Sequence, residues 1–267
     1  MTDTQNASPA TASSAAAVGT TDRPNRLTAW WRFDEGAGHT ATDSSGNGHT
    51  LVAEEGVAWL PGGGIALDGA RRKLTTTGPA VRTDESFSVA VWVRLDSATL
   101  DGALRPEPGE YAWTAVSQAV DSHGAFYIGA RLFTETGADG TEQAVLRWSF
   151  TVSPVDGPTS AFEWRHATSA AAVDASALDT WVLLVGVLDP RTHTARLLVP
   201  GAEDVRTVDL PEGWTYWHAE APLQVGHGTW LEKTVDFWPG SIGPVRLFSG
   251  TLTPEDAAVL YRQDAPA

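Results

Sequence analysis

The sequence predicts an all-β fold, a sandwich of two antiparallel sheets that ends in one short helix. Residues 86–95 (SFSVAVWVRL) alternate with a period of two, which is typical of a strand. Residues 181–188 (WVLLVGVL) form an almost continuous apolar run, as expected for a strand that is buried on both faces. The 26 glycines and 16 prolines are spread along the chain, which favours many short strands joined by turns.

Residues 86–95 are predicted to be the central strand. Successive side chains of a strand point to opposite faces, and the second face of this strand is small and aromatic rather than charged. We therefore expect both faces to be covered, which places the strand inside the sandwich. The first face consists of Phe87, Val89, Val91, Val93 and Leu95, and the second of Ser88, Ala90, Trp92 and Arg94.

The remaining elements are short and are separated by turn residues. Residues 1–26 have few apolar side chains and are expected to form a disordered arm or linker, and residues 27–267 a single domain. Residues 96–110 and 154–179 lack periodicity and are predicted loops, the second with at most a strand at 161–165. Residues 43–49 (DSSGNGH) predict Asx-type turns. Thr253 is predicted to cap a helix that runs through Tyr261. Further strands are predicted at 27–33, 51–53, 64–67, 73–76, 111–118, 125–132, 144–152, 194–199, 205–210, 223–226 and 237–249.

Composition disfavours several classes of function. The net charge of −15 argues against nucleic acids and anionic membrane surfaces as partners. The chain has no cysteine, so it has no disulfide framework, thiolate metal site or thiol nucleophile. The N-terminal residues lack a basic segment followed by a long apolar one, so we expect no signal peptide. No apolar run approaches a membrane span. We expect the chain to be synthesised in the cytosol. It could then act there, outside the cell or on a virus particle, and the sequence leaves these alternatives open.

Eight short motifs follow one another in a familiar order. They are WxFDEGxG (31–38), DSSGNGH (43–49), GxALDG (64–69), SFSVAVWV (86–93), WVLLVGVLD (181–189), PLQVG (222–226), WPGSIxxVRLF (238–248) and LTPED (252–256). In this order they resemble the laminin G-like (LamG) jelly rolls of the concanavalin A-like lectin/glucanase superfamily. The resemblance implies a concanavalin A-like jelly-roll sandwich over residues 27–262. It does not choose a function, because this fold hosts lectins, glycosidases, adhesion modules and structural domains.

One motif departs from the family pattern. In many relatives the last strand reads GxIDxVR, and its aspartate helps to hold a structural calcium ion. Here residues 240–246 read GSIGPVR, with Gly243 at the position of that aspartate. We therefore expect no cofactor, although Asp34, Glu35 and Asp43 carry oxygens of the kind that calcium prefers.

Catalysis is not predicted. Glucanases of the resembled superfamily carry ExDxE or ExDxxE on one strand, which places the acids on a common face near the sugar. No such run is present, and the acid pairs of this chain are adjacent in sequence, so on a strand they would face opposite ways. The sequence also lacks a GxSxG elbow, an HExxH motif and a phosphate-binding loop. His123 and His227 adjoin glycine and are expected to lie in surface turns.

The twelve tryptophans point to binding. Trp rings stack on the apolar faces of sugars. Trp30, Trp92, Trp148 and Trp181 lie within predicted strands and are expected in the core, and Trp217 and Trp238 are expected to pack. Four aromatic residues near loops match no core position, and we take them as ligand-binding candidates if they are exposed: Trp113, Trp214, Tyr216 and Trp230.

Two hypotheses follow, with a third less favoured. The first is a non-catalytic recognition module that binds a glycan or a glycosylated surface through aromatic loops. The second is a structural, decoration or adhesion component of a phage particle or similar assembly, anchored by the arm at residues 1–26. A particle protein needs no export signal. The third, a glycoside hydrolase, would require catalytic acids that the motifs do not show.

Overall fold

The computed structural model describes residues 25–54, 57–103, 111–137, 139–157, 164–263 and 265–266. Within these residues almost all of the regular secondary structure is strand. In chain order they are β1 (Arg26–Trp31), β2 (Thr40–Ala41), β3 (Leu51–Ala53), β4 (Ala58–Trp59), β5 (Ile65–Ala66), β6 (Leu74–Thr75), β7 (Phe87–Leu95), β8 (Tyr111–Ala119), β9 (Gly124–Thr136), β10 (Glu142–Val152), β11 (Arg165–Thr168), β12 (Val182–Asp189), β13 (Thr194–Val199), β14 (Asp204–Asp209), β15 (Leu223–Val225), β16 (Gly228–Trp230), β17 (Lys233–Val235) and β18 (Gly240–Ser249). The helices are α1 (Ser97–Ala103) and α2 (Pro254–Gln263), and a 3₁₀ turn covers Pro200–Ala202.

The strands form two antiparallel sheets and one separate hairpin. The first sheet has the order β14-β13-β12-β7-β18-β5-β4, and β1 pairs with β18. The second sheet has the order β11-β10-β9-β8-β15-β6-β3-β2. Strands β16 and β17 form a separate hairpin, and Trp230 of β16 makes an isolated bridge with His123. Two packed antiparallel sheets with a short C-terminal helix confirm the predicted jelly-roll sandwich.

Strand β7 lies in the middle of the first sheet, between β12 and β18. Its side chains alternate as predicted. The odd-numbered side chains, from Phe87 to Leu95, lie in the core between the sheets. Ala90 and Trp92 belong to a second apolar cluster on the outer face, together with Ala257 and Leu260 of α2. Both faces of β7 are therefore covered, one by the opposite sheet and the other by the C-terminal helix.

Helix α2 begins where the sequence predicts. The Asp256 amide donates to Thr253 Oγ1 at 3.1 Å, and the Thr253 amide donates to Asp256 Oδ2 at 2.9 Å. This reciprocal cap satisfies backbone N–H groups that the first helical turn leaves free. Neither described helix is long and apolar enough to cross a membrane.

Two predicted loops are corrected by the structure. The segment 96–110 contains α1, which the Asp96 carboxylate caps by accepting the Thr99 amide at 3.1 Å. No apolar periodicity marks this helix in the sequence, because it is only seven residues long. In the segment 154–179 the strand Arg165–Thr168 overlaps the predicted strand 161–165 at Arg165 and extends beyond it. Residues 104–110 and 158–163 lie outside the described residues, as does the predicted arm up to residue 24.

Two tryptophans that were expected in the core are only partly buried. Trp30 lies on the outer face of the first sheet, where the Arg246 guanidinium is 4.3 Å from its ring centroid. Trp181 similarly faces Arg94 at 5.2 Å. Each ring is covered by an arginine side chain, which keeps its own charge in contact with solvent. The other tryptophans that were expected to pack are buried or partly buried: Trp92, Trp148, Trp217 and Trp238.

Candidate functional site

The most unusual surface feature is the hairpin formed by β16 and β17, whose turn has only two residues. Trp230 pairs with Lys233, and the two turn residues, Leu231 and Glu232, have φ angles of 47° and 63°. A tight turn with two positive φ angles normally takes glycine or asparagine, so this turn is strained. It nevertheless presents two large apolar side chains to solvent, with Trp230 38% exposed and Leu231 49% exposed.

The hairpin is tied to the second sheet through Tyr127. Phe126 and Ile128 point into the core, so Tyr127, between them on β9, points to the outer face of the sheet. Its hydroxyl donates to the Thr229 carbonyl at 2.6 Å and accepts the Gly124 amide. Burial raises the pKa of Tyr127, so the phenol keeps its proton and remains a hydrogen-bond donor.

Two glycines allow the hairpin to approach this ring. A Cβ atom at Gly124 would lie 2.8 Å from a carbon of the Tyr127 ring, and a Cβ atom at Gly228 would lie 2.9 Å from another. Any larger residue would push the ring away from one of these contacts. A further hydrogen bond, from the Leu231 amide to the Ser122 carbonyl at 2.8 Å, fixes the tip of the hairpin.

Four aromatic side chains meet at the hairpin, and we call them the hairpin cluster: His123, Tyr127, Trp164 and Trp230. The ring centroids of Trp164 and Trp230 are 5.6 Å apart, and that of His123 lies 4.6 Å from Trp230 and 5.5 Å from Trp164. Tyr127 and Trp164 are also 5.6 Å apart. His123 and Tyr127 are buried, whereas Trp164 is partly exposed. The cluster therefore has a rigid base and two accessible indole rings.

Titratable groups with shifted pKa values lie on the same side of the sandwich. Burial raises the pKa of Asp236, directly after β17, to about 6, although Arg131 acts in the opposite direction. Burial, with help from Arg131 and Arg165, lowers the pKa of His166 to about 3. The neutral His166 ring is 2.9 Å from the Thr151 hydroxyl through Nδ1. The His166 ring is therefore uncharged at neutral pH, and the protonation of Asp236 changes near pH 6.

The predicted ligand-binding residues do not come together in the structure. Trp230 is exposed and belongs to the hairpin cluster. Trp113 and Trp214 are only 6% and 9% exposed and pack into the core, so they do not meet the condition of exposure under which they were candidates. Trp113 is a strand residue of β8, and Trp214 is turned inward by a loop whose polar neighbours face solvent. Tyr216 is partly buried, and its hydroxyl is 3.0 Å from His193 Nδ1; it has no ring contact with the cluster among the described residues.

Sequence reasoning missed three members of the cluster. His123 was expected in a surface turn and is fully buried, as His227 nearly is. Tyr127 is the polar aromatic residue in the apolar first half of β9 (GAFYIGA), a pattern that indicates a hydroxyl with a fixed partner. Trp164 borders a strand that the sequence does not mark clearly. Trp164 and Trp230 lie far in the chain from each other and from the neighbouring His123 and Tyr127, and only the packing of the hairpin brings them together.

The residues at the position where many relatives hold calcium do not fit a calcium site. Asp43 Oδ1 accepts the amides of Trp30 and Ser45, and Oδ2 accepts the amide of His49 at 3.0 Å. A Cβ atom at Gly243 would lie 2.7 Å from Pro266 and 2.9 Å from Trp92, so no carboxylate side chain fits there. Among the described residues, no group of three or more acidic or histidine side chains is arranged to hold a metal ion.

The solved structures described next show the fold alone, because their sequence identities to this chain are low. Domain 4 of AbnA, a GH43 extracellular arabinanase from Geobacillus stearothermophilus, solved in complex with arabinotriose, is 17% identical, with a TM-score of 0.53 over 88% of this chain and 98% of that one. The botulinum neurotoxin serotype C1 binding domain is 14% identical, with a TM-score of 0.60 over 89% of this chain and 52% of that one. A Trypanosoma rangeli sialidase is 12% identical, with a TM-score of 0.55 over 96% of this chain and 35% of that one. This chain thus spans about half of the toxin domain and about a third of the sialidase.

The family follows from the sequence. No curated protein matches the chain. A family model of laminin G-like domains, described as the concanavalin A-like lectin/glucanases superfamily, matches residues 68–258. That match covers more than half of the chain, and the two-sheet jelly roll agrees with it. The chain therefore belongs to the laminin G-like family of the concanavalin A-like lectin/glucanase superfamily.

Proposed function

We propose that the chain is a carbohydrate-recognition module that binds a glycan on the hairpin cluster. The observation that carries this proposal is the pair of accessible indole rings, Trp164 and Trp230, with centroids 5.6 Å apart. The apolar face of a sugar ring packs on such surfaces, and neighbouring polar groups bind its hydroxyls. An exposed tryptophan beside an exposed leucine at a strained turn would otherwise be an unfavourable surface feature.

The rigidity of the cluster supports the proposal. Tyr127, its flanking glycines and the bond to Ser122 hold the hairpin in place. Binding to a surface that is already ordered costs less conformational entropy than binding to a mobile loop. Lys233 pairs with Trp230 across the hairpin, so its ammonium group is a polar partner for sugar hydroxyls on the same face as the Trp230 ring.

The fold relatives give independent support. Domain 4 of AbnA was solved with arabinotriose and matches over nearly its full length. Cell entry of botulinum neurotoxin type C depends on interaction with two ganglioside molecules, and its structure matches over about half of that chain. Saccharide binding is thus found in two proteins of similar fold, and we extend it to this chain as a proposal.

We propose binding without catalysis. Glycoside hydrolysis normally needs two carboxyl groups about 5–10 Å apart, one of them with a raised pKa. Among the described residues, burial raises the pKa of the Asp236 carboxyl group. Hydrogen bonds lower the pKa of other carboxyl groups, namely those of Asp43, Asp68, Asp84 and Asp189. The test is incubation of the protein with the glycan that it binds best. Release of reducing sugar that Asp236→Asn abolishes would overturn the non-catalytic part of the proposal.

Binding is tested on a glycan array and then by calorimetry with arabinotriose and the strongest array ligand. Trp230→Ala is expected to weaken binding at least tenfold, which corresponds to about 1.4 kcal/mol. Tyr216→Ala is the matched control, because Tyr216 is a partly exposed aromatic residue outside the cluster. If Tyr216→Ala abolishes binding and Trp230→Ala does not, the site lies at Tyr216 and the hairpin proposal is wrong.

The role as a component of a phage particle or similar assembly stays a prediction. It depends on residues 1–26, most of which lie outside the described residues. The size of the untagged protein in the lysate that produces it tests this role. Co-migration with a large particle that is lost when residues 1–24 are deleted would support it, and migration as a free 28.3 kDa chain would contradict it.

A further inference from the structure

A second concave site lies at an edge of the sandwich and shares no residue with the hairpin cluster. It is a groove of about 360 Å³ where β10, β12 and β13 meet the loop 169–177 and the end of α2. This volume is within the range of small-molecule sites. Three aromatic side chains, Trp148, Trp181 and Tyr261, line the groove.

The polar atoms of these rings are not used within the described chain. Trp148 is only 5% exposed, and a buried indole N–H normally has an acceptor. No described residue accepts from Trp148 Nε1. This nitrogen nevertheless keeps some access to solvent. Because the Trp148 ring lines the groove, a ligand bound there can supply the missing acceptor. The Trp181 N–H and the Tyr261 hydroxyl likewise have no partner among the described residues.

The loop that forms one wall of the groove is held in place. Arg147 donates from Nη1 to the carbonyls of Ser169 and Ala170, with the Ser169 bond at 3.0 Å. The Ala170 amide donates to Asp204 Oδ2 at 2.6 Å, and the Val173 amide donates to a carbonyl of β10 at 2.7 Å. The groove is therefore formed before any ligand arrives, which reduces the entropic cost of binding.

The charges that line the groove restrict the ligand. Among the described residues, Asp174 and Asp204 line the groove and no lysine or arginine does; Arg147, behind the loop that forms one wall, offsets part of the Asp204 charge. Asp174 Oδ1 accepts from Ser176 and Asp204 Oδ2 accepts from Ala170, so the second oxygen of each carboxylate is available as an acceptor. Such oxygens accept hydroxyl groups and repel anions. The groove thus combines ring faces, N–H donors and anionic acceptors.

We propose that this groove is a second saccharide-binding site that accepts a neutral sugar unit and rejects anionic ones. The exposed parts of the Trp181 and Tyr261 side chains contact the apolar side of the sugar, the Trp148 N–H donates to a sugar oxygen, and the two carboxylates accept sugar hydroxyls. The proposal does not rest on the hairpin cluster, because the two sites have no residue in common.

The indole N–H signals of Trp148 and Trp181 in nitrogen-15 NMR spectra report on the groove directly. Arabinotriose and cellotriose are the neutral probes, and sialyllactose is the anionic one. Ala172→Phe places a ring at the exposed wall of the groove, and Ala70→Phe is the matched control at an exposed alanine elsewhere. Both substitutions are on the surface, so both variants are expected to fold.

A neutral trisaccharide is expected to shift both indole signals, with at least a tenfold loss of affinity in Ala172→Phe and none in Ala70→Phe. Sialyllactose is expected to bind at least tenfold more weakly. The shifts persist in Trp230→Ala, which separates this site from the hairpin cluster. The proposal is overturned if neither neutral sugar moves the two signals, if Ala172→Phe leaves the affinity unchanged, or if sialyllactose binds the groove equally well.

Discussion

The Tyr127 hydroxyl joins the hairpin to the second sheet, and Tyr127→Phe removes only that oxygen. The substitution leaves the buried Gly124 amide without its acceptor, which costs about 1–3 kcal/mol. It also removes the donor to the Thr229 carbonyl, a net loss of about 0.5–1.5 kcal/mol. We therefore expect the free energy of unfolding to fall by about 1.5–4.5 kcal/mol. The hairpin should become mobile, and glycan affinity at the hairpin cluster should fall with it.

Urea unfolding gives the free energy, and hydrogen exchange of the amides in residues 228–235 reports on the hairpin itself. Tyr216→Phe is the control, because its hydroxyl meets His193 Nδ1 in an exposed position, and surface substitutions usually change stability by less than about 0.5 kcal/mol. If Tyr127→Phe is as stable as Tyr216→Phe and its hairpin amides exchange no faster than in the unaltered protein, the anchoring role of Tyr127 is refuted.

Three further predictions concern stability. Gly186→Ala places a Cβ atom 2.3 Å from the Phe150 ring and should lower the free energy of unfolding by about 1–3 kcal/mol through overpacking; an unchanged urea midpoint would contradict this. Burial raises the pKa of Asp236 from 3.8 to about 6, so its contribution to stability is full below pH 3.8 and lost as the pH rises through about 6. Asp236→Asn should thus stabilise the fold by about 1–3 kcal/mol at pH 7, after allowance for partial exposure, and not at pH 4. Burial, together with Lys73, lowers the pKa of His227 to about 4, so its contribution is present above pH 6.5 and lost as the pH falls through about 4. The free energy of unfolding of His227→Gln should therefore fall by about 3 kcal/mol less than that of the unaltered protein when the pH is lowered from above 6.5 to below 4. Equal losses of unfolding free energy in the two proteins would contradict this.

The fold was predictable because its strongest signals are local. The alternation of β7 and the apolar run of β12 each identify a buried strand without reference to the rest of the chain. The C-terminal helix was also predictable, because Thr253 and Asp256 form its cap within four residues. Helix α1 was not, because a helix of seven residues with a single capping side chain leaves no periodic pattern to detect.

The candidate site was predictable only in part, because exposure depends on packing between distant segments. Trp230 was selected correctly as an exposed ring, but the same reasoning selected Trp113 and Trp214, which the core takes up. Nothing local distinguishes a loop tryptophan that turns inward from one that stays outside. Trp164 joins Trp230 from 66 positions earlier in the numbering, and only the hairpin laid over β9 brings the two rings together.

The central claim is that glycans bind on the hairpin cluster, and a crystal structure of the protein with its tightest-binding glycan tests it most directly. We predict a sugar ring packed against the exposed face of Trp230 or Trp164, with the hairpin in the conformation described above. A glycan that is bound only elsewhere, in the edge groove or beside Tyr216, would contradict the claim.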